Sequence, residues 1–355
     1  MIIFSIYTQY HLFNCMNIKM ALHQSEKAIA FIMRPDDSGL RQYYSKLLQN
    51  GIFVQIYEFN PDWINDTNTF SKLTSIPRIT KSSKESLKFI RSLSFGERVE
   101  CVYTYECSIE LCMLFDHIQK TNNSAVKLVC YEEGAGSYCR PTFNQMGRIS
   151  RAITKRLGIS VPEPFSKQLL YQPMCLTVQQ TCELEPMPQF NREFAPIFND
   201  VFSFIDKGDY PKAVFFNGPD RKLDLFLADC IDGMDLAHTT TKSHPRASLG
   251  TQLTSKRFPY NDPWEVLCAN RPTQNKVFVS HFSTAMYTPK SIFGDEPYLV
   301  FLFGLSEAAA YDDAVISPML MSYFKRFLST YEHPERIMVP TSISELKQVL
   351  ISHGA

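Results

Sequence analysis

The sequence lacks the motifs that usually give away a nucleotide or metal enzyme. It has no GxxxxGK(S/T) phosphate loop, no GxGxxG dinucleotide fingerprint and no HExxH zinc motif. No D-x-D occurs, so a divalent ion bridging a diphosphate has no obvious ligands, and a metal-independent nucleotide reaction fits better. The ten cysteines include no CxxC pair, and several sit inside apolar runs such as CVYTYEC. Buried free thiols in a reducing cytoplasm are therefore expected, rather than disulfides or a zinc site. No apolar run approaches the roughly 18 residues of a membrane span. LVFLFGL (299–305) is too short and reads as a buried strand. The start, MIIFSIYTQYHLFNCMNIK, lacks the basic-then-apolar order of a signal peptide. Charge is also missing as a signal: 36 basic residues balance 36 acidic ones without a long run of either sign. Nucleic acid is thus not an expected partner, whereas a local basic patch leaves peripheral membrane attachment open.

What is present is a two-part alternation of strands and helices. At 355 residues, 45% of them hydrophobic, the chain is globular and comfortable for two domains. IIFSI (2–6), AIAFIM (28–33), FVQIYEF (53–59), VECVYTY (99–105) and VKLVCY (126–131) are strand-like, and SGLRQYYSKLLQN and SIELCMLFDHIQK are helical. This rhythm predicts a doubly wound α/β domain over 1–157. Residues 158–195, rich in Pro and Gln, read as a linker and rim. A second series follows over 196–330: AVFFNG (213–218), MDLAHTT (234–240), KVFVS (276–280) and YLVFLFG (298–304), separated by stretches such as DRKLDLFLADCI and PMLMSYFKRFLSTY. The capping-box spacing of Ser342 and Glu345 predicts a last helix in a C-terminal tail, 331–355.

Ligands in such sheets sit beyond the carboxyl ends of the strands, which directs attention to four turns. LVCYEEGAGSYCR (128–140) ends a strand in Glu132 and Glu133 and then a turn with Gly134 and Gly136. The pair is either a solvated loop or a carboxylate presented to a substrate. KSHPR (242–246) holds His244 extended ahead of Pro245, between Lys242 and Arg246, where it suits an anion. The other His-Pro, His333-Pro334, lies nearer the C-terminus. In SHFSTA (280–285), Ser283 and Thr284 are either phosphate ligands or a helix cap. In FPYNDPWEV, Pro263 starts a helix and Glu265 either complements its dipole or accepts from ribose hydroxyls.

In their order, YEEG (131–134), KSHPR (242–246) and the Ser-Thr pair (283–284) resemble the bacterial sialyltransferases of two-domain GT-B architecture. The start, IYTQYHLFNCMNIKMAL, is similar to the first strand and helix of the lipooligosaccharide sialyltransferases, glycosyltransferase family 52, and PWE (263–265) lies where such enzymes carry a nucleotide-binding acid. Glu-Glu in place of the common aspartates, and SHFST in place of a plain serine pair, are departures. The resemblance implies two Rossmann-like domains facing a cleft: an acceptor-binding first domain and a CMP-sugar-binding second. It implies inverting transfer of sialic acid from CMP-sialic acid to a terminal galactose of a lipooligosaccharide, O-antigen or capsule, with α2,3 linkage and no metal cofactor. Only one glutamate would be the base, since neighbours on an extended chain point opposite ways; Glu132 is favoured, with Glu133 orienting the turn, and Gly134 and Gly136 would let the backbone pass close to the sugar. His244, Ser283 and Thr284 would serve the leaving phosphate, Glu265 the ribose, and the Asn217-Gly218-Pro219 turn the nucleotide. Lys242, Pro245 and Arg246 would frame His244, and Tyr10 and His11 the acceptor side. A cytoplasmic place at the inner face of the bacterial inner membrane and a homodimer are compatible with it. The alternatives are a transferase using CMP-Kdo or a UDP-sugar on the same scaffold, and a non-catalytic carbohydrate- or nucleotide-binding protein.

Overall fold

A computed structural model describes residues 1–33, 35, 39–59, 76–122, 125–141, 148–161, 165–208, 210–217, 239–243, 258–260, 262–306 and 316–353. The chain forms two compact units, Met1–Pro188 and Gln189–Ala355.

The first unit is built on a seven-stranded parallel sheet. In chain order its strands are β1 (Ile2–Ile6), β2 (Ala28–Met33), β3 (Gln55–Phe59), β4 (Cys101–Thr104), β5 (Lys127–Tyr131), β6 (Lys167–Leu170) and β7 (Glu183–Pro186). They lie in the order β3-β2-β1-β4-β5-β6-β7. Strands buried on both faces need continuous apolar runs rather than alternation, and every residue of β1 and β2 is buried. The register aligns Ile3 with Ile29 and Val102, and Val102 with Leu128. Onto this row pack Leu87 and Ile90 of α3 (Ile76–Ser92), Ile118 of α4 (Ile109–Asn122) and Ile153 of α6 (Arg148–Arg156). On the opposite face Phe4 stacks on Tyr103 at 5.0 Å, and His23, just beyond α1 (Gln9–Leu22), hydrogen-bonds the Tyr103 hydroxyl at 2.7 Å. Two short helices complete the labels, α2 (Tyr44–Gln49) and α5 (Gly136–Cys139).

Residues 158–195 are not a linker and rim: they supply β6 and β7, which extend this sheet. Both strands are four residues long, and β7 is an edge strand with three exposed positions and a terminal proline. Edge strands tolerate polar residues and proline because one side of the ladder is unpaired, so hydrophobic pattern does not mark them.

The second unit holds a five-stranded parallel sheet of β8 (Ala213–Phe216), β9 (Thr239–Lys242), β10 (Val277–Ser280), β11 (Tyr298–Phe301) and β12 (Ile337–Met338), ordered β12-β11-β10-β8-β9. Its helices among the described residues are α7 (Ala195–Phe202), α8 (Trp264–Asn270), α9 (Thr288–Phe293), α10 (Pro318–Leu328) and α11 (Ile343–Ser352). One face packs Phe215, Val279 and Val300 against Leu346 and Leu350 of α11. On the other, the Trp264 ring meets Phe216 at 4.8 Å and Phe278 at 5.0 Å. Residues 331–355 are therefore no tail, because β12 pairs with β11 and α11 closes the core. The cap is as expected at Ser342, which accepts from Glu345 N at 3.2 Å, while the Glu345 carboxylate returns to Thr341 N at 2.7 Å. The apolar run 299–305 is strand only to Phe301 and then a 3₁₀ turn, Leu302–Gly304. Of the expected strand 234–240 only the last two residues are described, and they open β9. No helix among the described residues is long and apolar enough to cross a membrane.

Candidate functional site

In the first unit the glutamate pair stands at the carboxyl end of β5. Glu132 turns inward and is 4% exposed. Its Oε2 accepts from the Tyr138 hydroxyl and from Tyr171 N at 2.9 Å, and its Oε1 accepts from the Tyr10 hydroxyl at 3.3 Å. Asn14, one turn beyond Tyr10 on α1, donates to the Glu132 carbonyl at 3.0 Å and accepts from the Tyr171 hydroxyl at 2.9 Å. Burial pushes the Glu132 carboxyl up to about 7, against the pull of these donors. The two oxygens differ: Oε2 is held by two donors, while Oε1 takes a single long hydrogen bond. A carboxylate so tuned is suited to proton transfer near neutral pH.

Glu133 is half-buried and is the more exposed of the pair. Its backbone N–H donates to Ser137 Oγ at 2.9 Å, which folds the turn back on itself. Gly134 has φ +121°, a conformation that side chains rarely adopt, and this is what requires glycine there. At Gly136 a Cβ would lie 2.9 Å from Glu133 Oε1, the movable end of that side chain, so the small residue sets where the Glu133 carboxylate lies. The two glycines thus serve the turn and the Glu133 carboxylate.

The order of this sheet reverses at β1 and β4, the position where doubly wound sheets open a crevice. Tyr7 and Tyr105 follow these strands and meet edge to face at 4.8 Å. His11, on the first turn of α1, packs against Tyr105 at 4.3 Å, and burial pulls its pKa down to about 3, so it is neutral. Its Nδ1 makes no hydrogen bond among the described residues. Thr8 caps the helix by accepting from His11 N at 3.2 Å, which orients both Tyr10 and His11.

In the second unit the order reverses between β8 and β10. Asn217 directly follows β8, is buried, and donates its backbone N–H to Lys242 O at 3.2 Å. Ser280, the last residue of β10, donates its hydroxyl to Phe216 O at 3.0 Å. His281 follows, half-buried, with its pKa lowered by burial. Ser283 acts as a cap, accepting from Ala285 N at 3.3 Å ahead of the 3₁₀ turn Thr284–Met286, and Thr284 is exposed. Glu265 lies in the first turn of α8, 8% exposed, and burial raises its carboxyl to about 7. Its own backbone, the Lys242 ammonium and the Thr288 hydroxyl oppose that rise. Lys242 ends β9, donates to Asp262 O at 3.2 Å and stands 4.9 Å over the Phe258 ring, and burial lowers its pKa. Trp264 Nε1 donates to Ala285 O at 3.0 Å, tying the start of α8 to the Ser283 turn.

The structure therefore gathers Tyr10, His11, Glu132, Glu133, Gly134 and Gly136 at one edge of the first sheet, and Asn217, Lys242, Glu265, Ser283 and Thr284 at the same edge of the second. Gly218, Pro219, His244, Pro245 and Arg246 lie outside the described residues. Asn14, Tyr138, Tyr171, Tyr105 and His281 were not singled out in the sequence. Asn14 had a signal, being four residues from Tyr10 on one helix face, and Tyr138 lies within the glutamate stretch itself. Among the described residues no three His, Cys, Asp or Glu side chains gather as a metal ion would need. The nine described cysteines are free, all buried except the half-buried Cys182.

No protein-family model matches the chain, and no curated protein matches it. Solved structures are similar at low identity. The glycosyltransferase SnogD from Streptomyces nogalater is 11% identical over 100% of this chain and 99% of its own, with a TM-score of 0.46. MurG from Acinetobacter baumannii is 9% identical over 99% and 90%, with a TM-score of 0.43. MnaA from S. aureus, solved with UDP, is 12% identical over 99% and 95%, with a TM-score of 0.41.

Proposed function

We propose that the protein is a glycosyltransferase of GT-B type that moves sialic acid, with inversion and without a metal, from CMP-sialic acid to the terminal galactose of a bacterial surface glycan. The observation that carries this reading is Glu132: a carboxylate at a strand's carboxyl end, raised to about 7, with Oε2 held by two donors and Oε1 by the long bond from Tyr10 alone. In this reading Glu132 Oε1 takes the proton of an acceptor hydroxyl as that oxygen attacks the anomeric carbon. The bond to the CMP phosphate breaks, and its electron pair leaves on the phosphate oxygen. Because CMP departs with a single phosphate, a few donors suffice to stabilise the charge. His244 with the Ser283 turn supplies them, Lys242 adds positive potential, and Glu265 holds the ribose. Neutral His11 and the Tyr10 hydroxyl face the acceptor.

A second reading makes Glu133 the base and Glu132 the carboxylate that fixes the turn, and the greater exposure of Glu133 favours it. The test is CMP release from CMP-sialic acid with and without a galactoside, in EDTA. Acceptor-stimulated release lost in either Glu132→Gln or Glu133→Gln, and in His244→Ala, supports the class and names the base. Release only from CMP-Kdo or a UDP-sugar moves the donor, and CMP binding without turnover leaves a binding protein.

A further inference from the structure

The first turn of α4 is closed by a pair of cysteines. Ser108 caps this helix: it stands just ahead of Ile109, its Oγ accepts from Leu111 N at 3.2 Å, and its carbonyl accepts from Cys112 N at 3.1 Å. The residue before such a cap and the fourth residue of the helix face each other and commonly meet as an apolar staple. Here both are cysteine. Cys107 and Cys112 are 6% and 0% exposed, and their Sγ atoms meet at 3.8 Å. The loop that delivers Cys107 is itself tied down, because Thr104 donates its hydroxyl to Glu106 O at 3.1 Å. The helix cap thus holds two free thiols in contact.

Two leucines would serve a purely apolar staple as well, so the chemistry of the sulfurs is what distinguishes this one. The Cys107 thiol is held below its ordinary pKa, chiefly by the hydrogen bond with Cys112 and to a smaller extent by Arg151, against burial and Glu106. The same hydrogen bond, with burial, raises Cys112. Burial also raises the thiols of Cys15, Cys101, Cys130, Cys139, Cys182 and Cys268. Cys107 lies at a helix N-terminus as well, where the dipole favours a thiolate. The pair therefore combines a nucleophilic sulfur with a second thiol in contact to resolve it.

We infer that Cys107 and Cys112 form a peroxide-sensitive dithiol that closes to a disulfide staple and is reopened by thiol reductants. The Cys107 sulfur attacks one oxygen of hydrogen peroxide, the O–O bond breaks, and the other oxygen leaves as hydroxide and takes a proton to become water. Cys107 is then a sulfenic acid. The Cys112 sulfur attacks it, the S–S bond forms, the S–O bond breaks, and the hydroxyl leaves with the Cys112 proton as a second water. Two thiols have given two electrons to the peroxide. Only Cys107, the outer of the two, has to meet the oxidant, and hydrogen peroxide is little larger than water. Ser108, inside the ring that the bridge closes, meets the Tyr7 hydroxyl at 3.3 Å, so the state of the pair is felt beside the β1–β4 crevice. The inference is independent of the transferase reading, since neither cysteine belongs to either candidate site.

Mass spectrometry of the full chain, treated with hydrogen peroxide, denatured in iodoacetamide and cut after Lys, Arg and Glu, tests it. Cleavage at Glu106, Glu110 and Lys120 puts the two cysteines on peptides 107–110 and 111–120, so a bridge is read as their joined mass. The joined peptide should form about tenfold or more faster than Cys15 or Cys268 is lost, because the thiolate is the reacting form. Dithiothreitol should remove it. Cys112→Ser should leave Cys107 as a sulfenic acid that dimedone traps, and Cys107→Ser should leave Cys112 alkylated. Thermal melts confirm that both variants fold, and the wild-type peptide is decisive without them. Alkylation of both cysteines in the treated wild type overturns the inference, as does joining of Cys107 to another cysteine or oxidation spread evenly over the described thiols.

Discussion

The Tyr138 hydroxyl donates to the carboxylate of Glu132, six residues upstream, so the two ends of the glycine turn close on each other through a buried hydrogen bond. Tyr138 in turn accepts from Gln172 N at 3.1 Å, just beyond β6, which fixes its ring. The candidate base is thus set by a tyrosine from its own turn, a tyrosine from α1 and the backbone after β6.

Tyr138→Phe should move the pH dependence of turnover. The hydroxyl lowers the Glu132 pKa, so removing it lets burial raise that pKa further above its value of about 7. A general base works deprotonated, so the acid limb of the kcat profile should shift to higher pH. Release rates across about pH 5 to 9 check this, and a downward shift would contradict it.

Glu132→Gln should change how stability depends on pH. The folded carboxyl keeps its proton up to about 7, whereas the unfolded one loses it near the ordinary 4.5. Between those values the folded state binds more protons, so wild-type stability falls as pH rises through the window. Glutamine has no such loss. The variant should gain on the wild type by up to about 3 kcal/mol between acid and alkaline conditions. Denaturant titrations at about pH 5 and 8 measure it.

The two turn glycines separate the two glutamates. Gly134→Ala forces an alanine to φ +121° and should cost about 1–3 kcal/mol. Gly136→Ala meets only the end of the Glu133 side chain, which is able to swing aside. It should leave stability nearly unchanged while displacing the Glu133 carboxylate. Turnover retained in Gly136→Ala argues for Glu132 as base, and a fall of a hundredfold or more argues for Glu133.

Trp264→Phe keeps the ring against Phe216 and Phe278 but removes the donor to Ala285 O. The Ser283 turn loosens, and CMP affinity should fall about fivefold to tenfold, the value of one hydrogen bond. Glu265→Gln should weaken CMP by a similar factor. Calorimetric titration with CMP reads both, and unchanged affinity in both would remove this edge from the donor site.

Leu350→Ala tests the place of the C-terminal helix. Leu350 is fully buried against the second sheet, so its truncation should cost about 2–5 kcal/mol. A helix outside the core would lose far less.

The strands of both sheets were legible where they are long and buried on both faces, as with Ile2–Ile6, Ala28–Met33 and Val277–Ser280. Three elements escaped for physical reasons. β6 has only four residues and opens on Lys and Gln, β7 is an edge strand where Glu and Pro stand in for apolar residues, and β12 is two residues long. Glu132 was visible because two acids ahead of a glycine turn are unusual at the end of an apolar strand. Its partners were harder to see: Asn14 and Tyr171 come from 118 and 39 residues away. Such pairings follow only once the strand order is known. Ser283 illustrates the limit in another way, because a cap and a phosphate ligand demand the same residue at the same place.

The central claim is that Glu132 or its neighbour activates an acceptor hydroxyl for attack on a CMP-sugar. The most direct measurement is the rate of CMP release from CMP-sialic acid, with and without a terminal galactoside, in the wild type and in Glu132→Gln. The account predicts acceptor-stimulated release in the wild type and a loss of about a hundredfold or more in the variant. Release that ignores the acceptor, or that survives in both Glu132→Gln and Glu133→Gln, would contradict it.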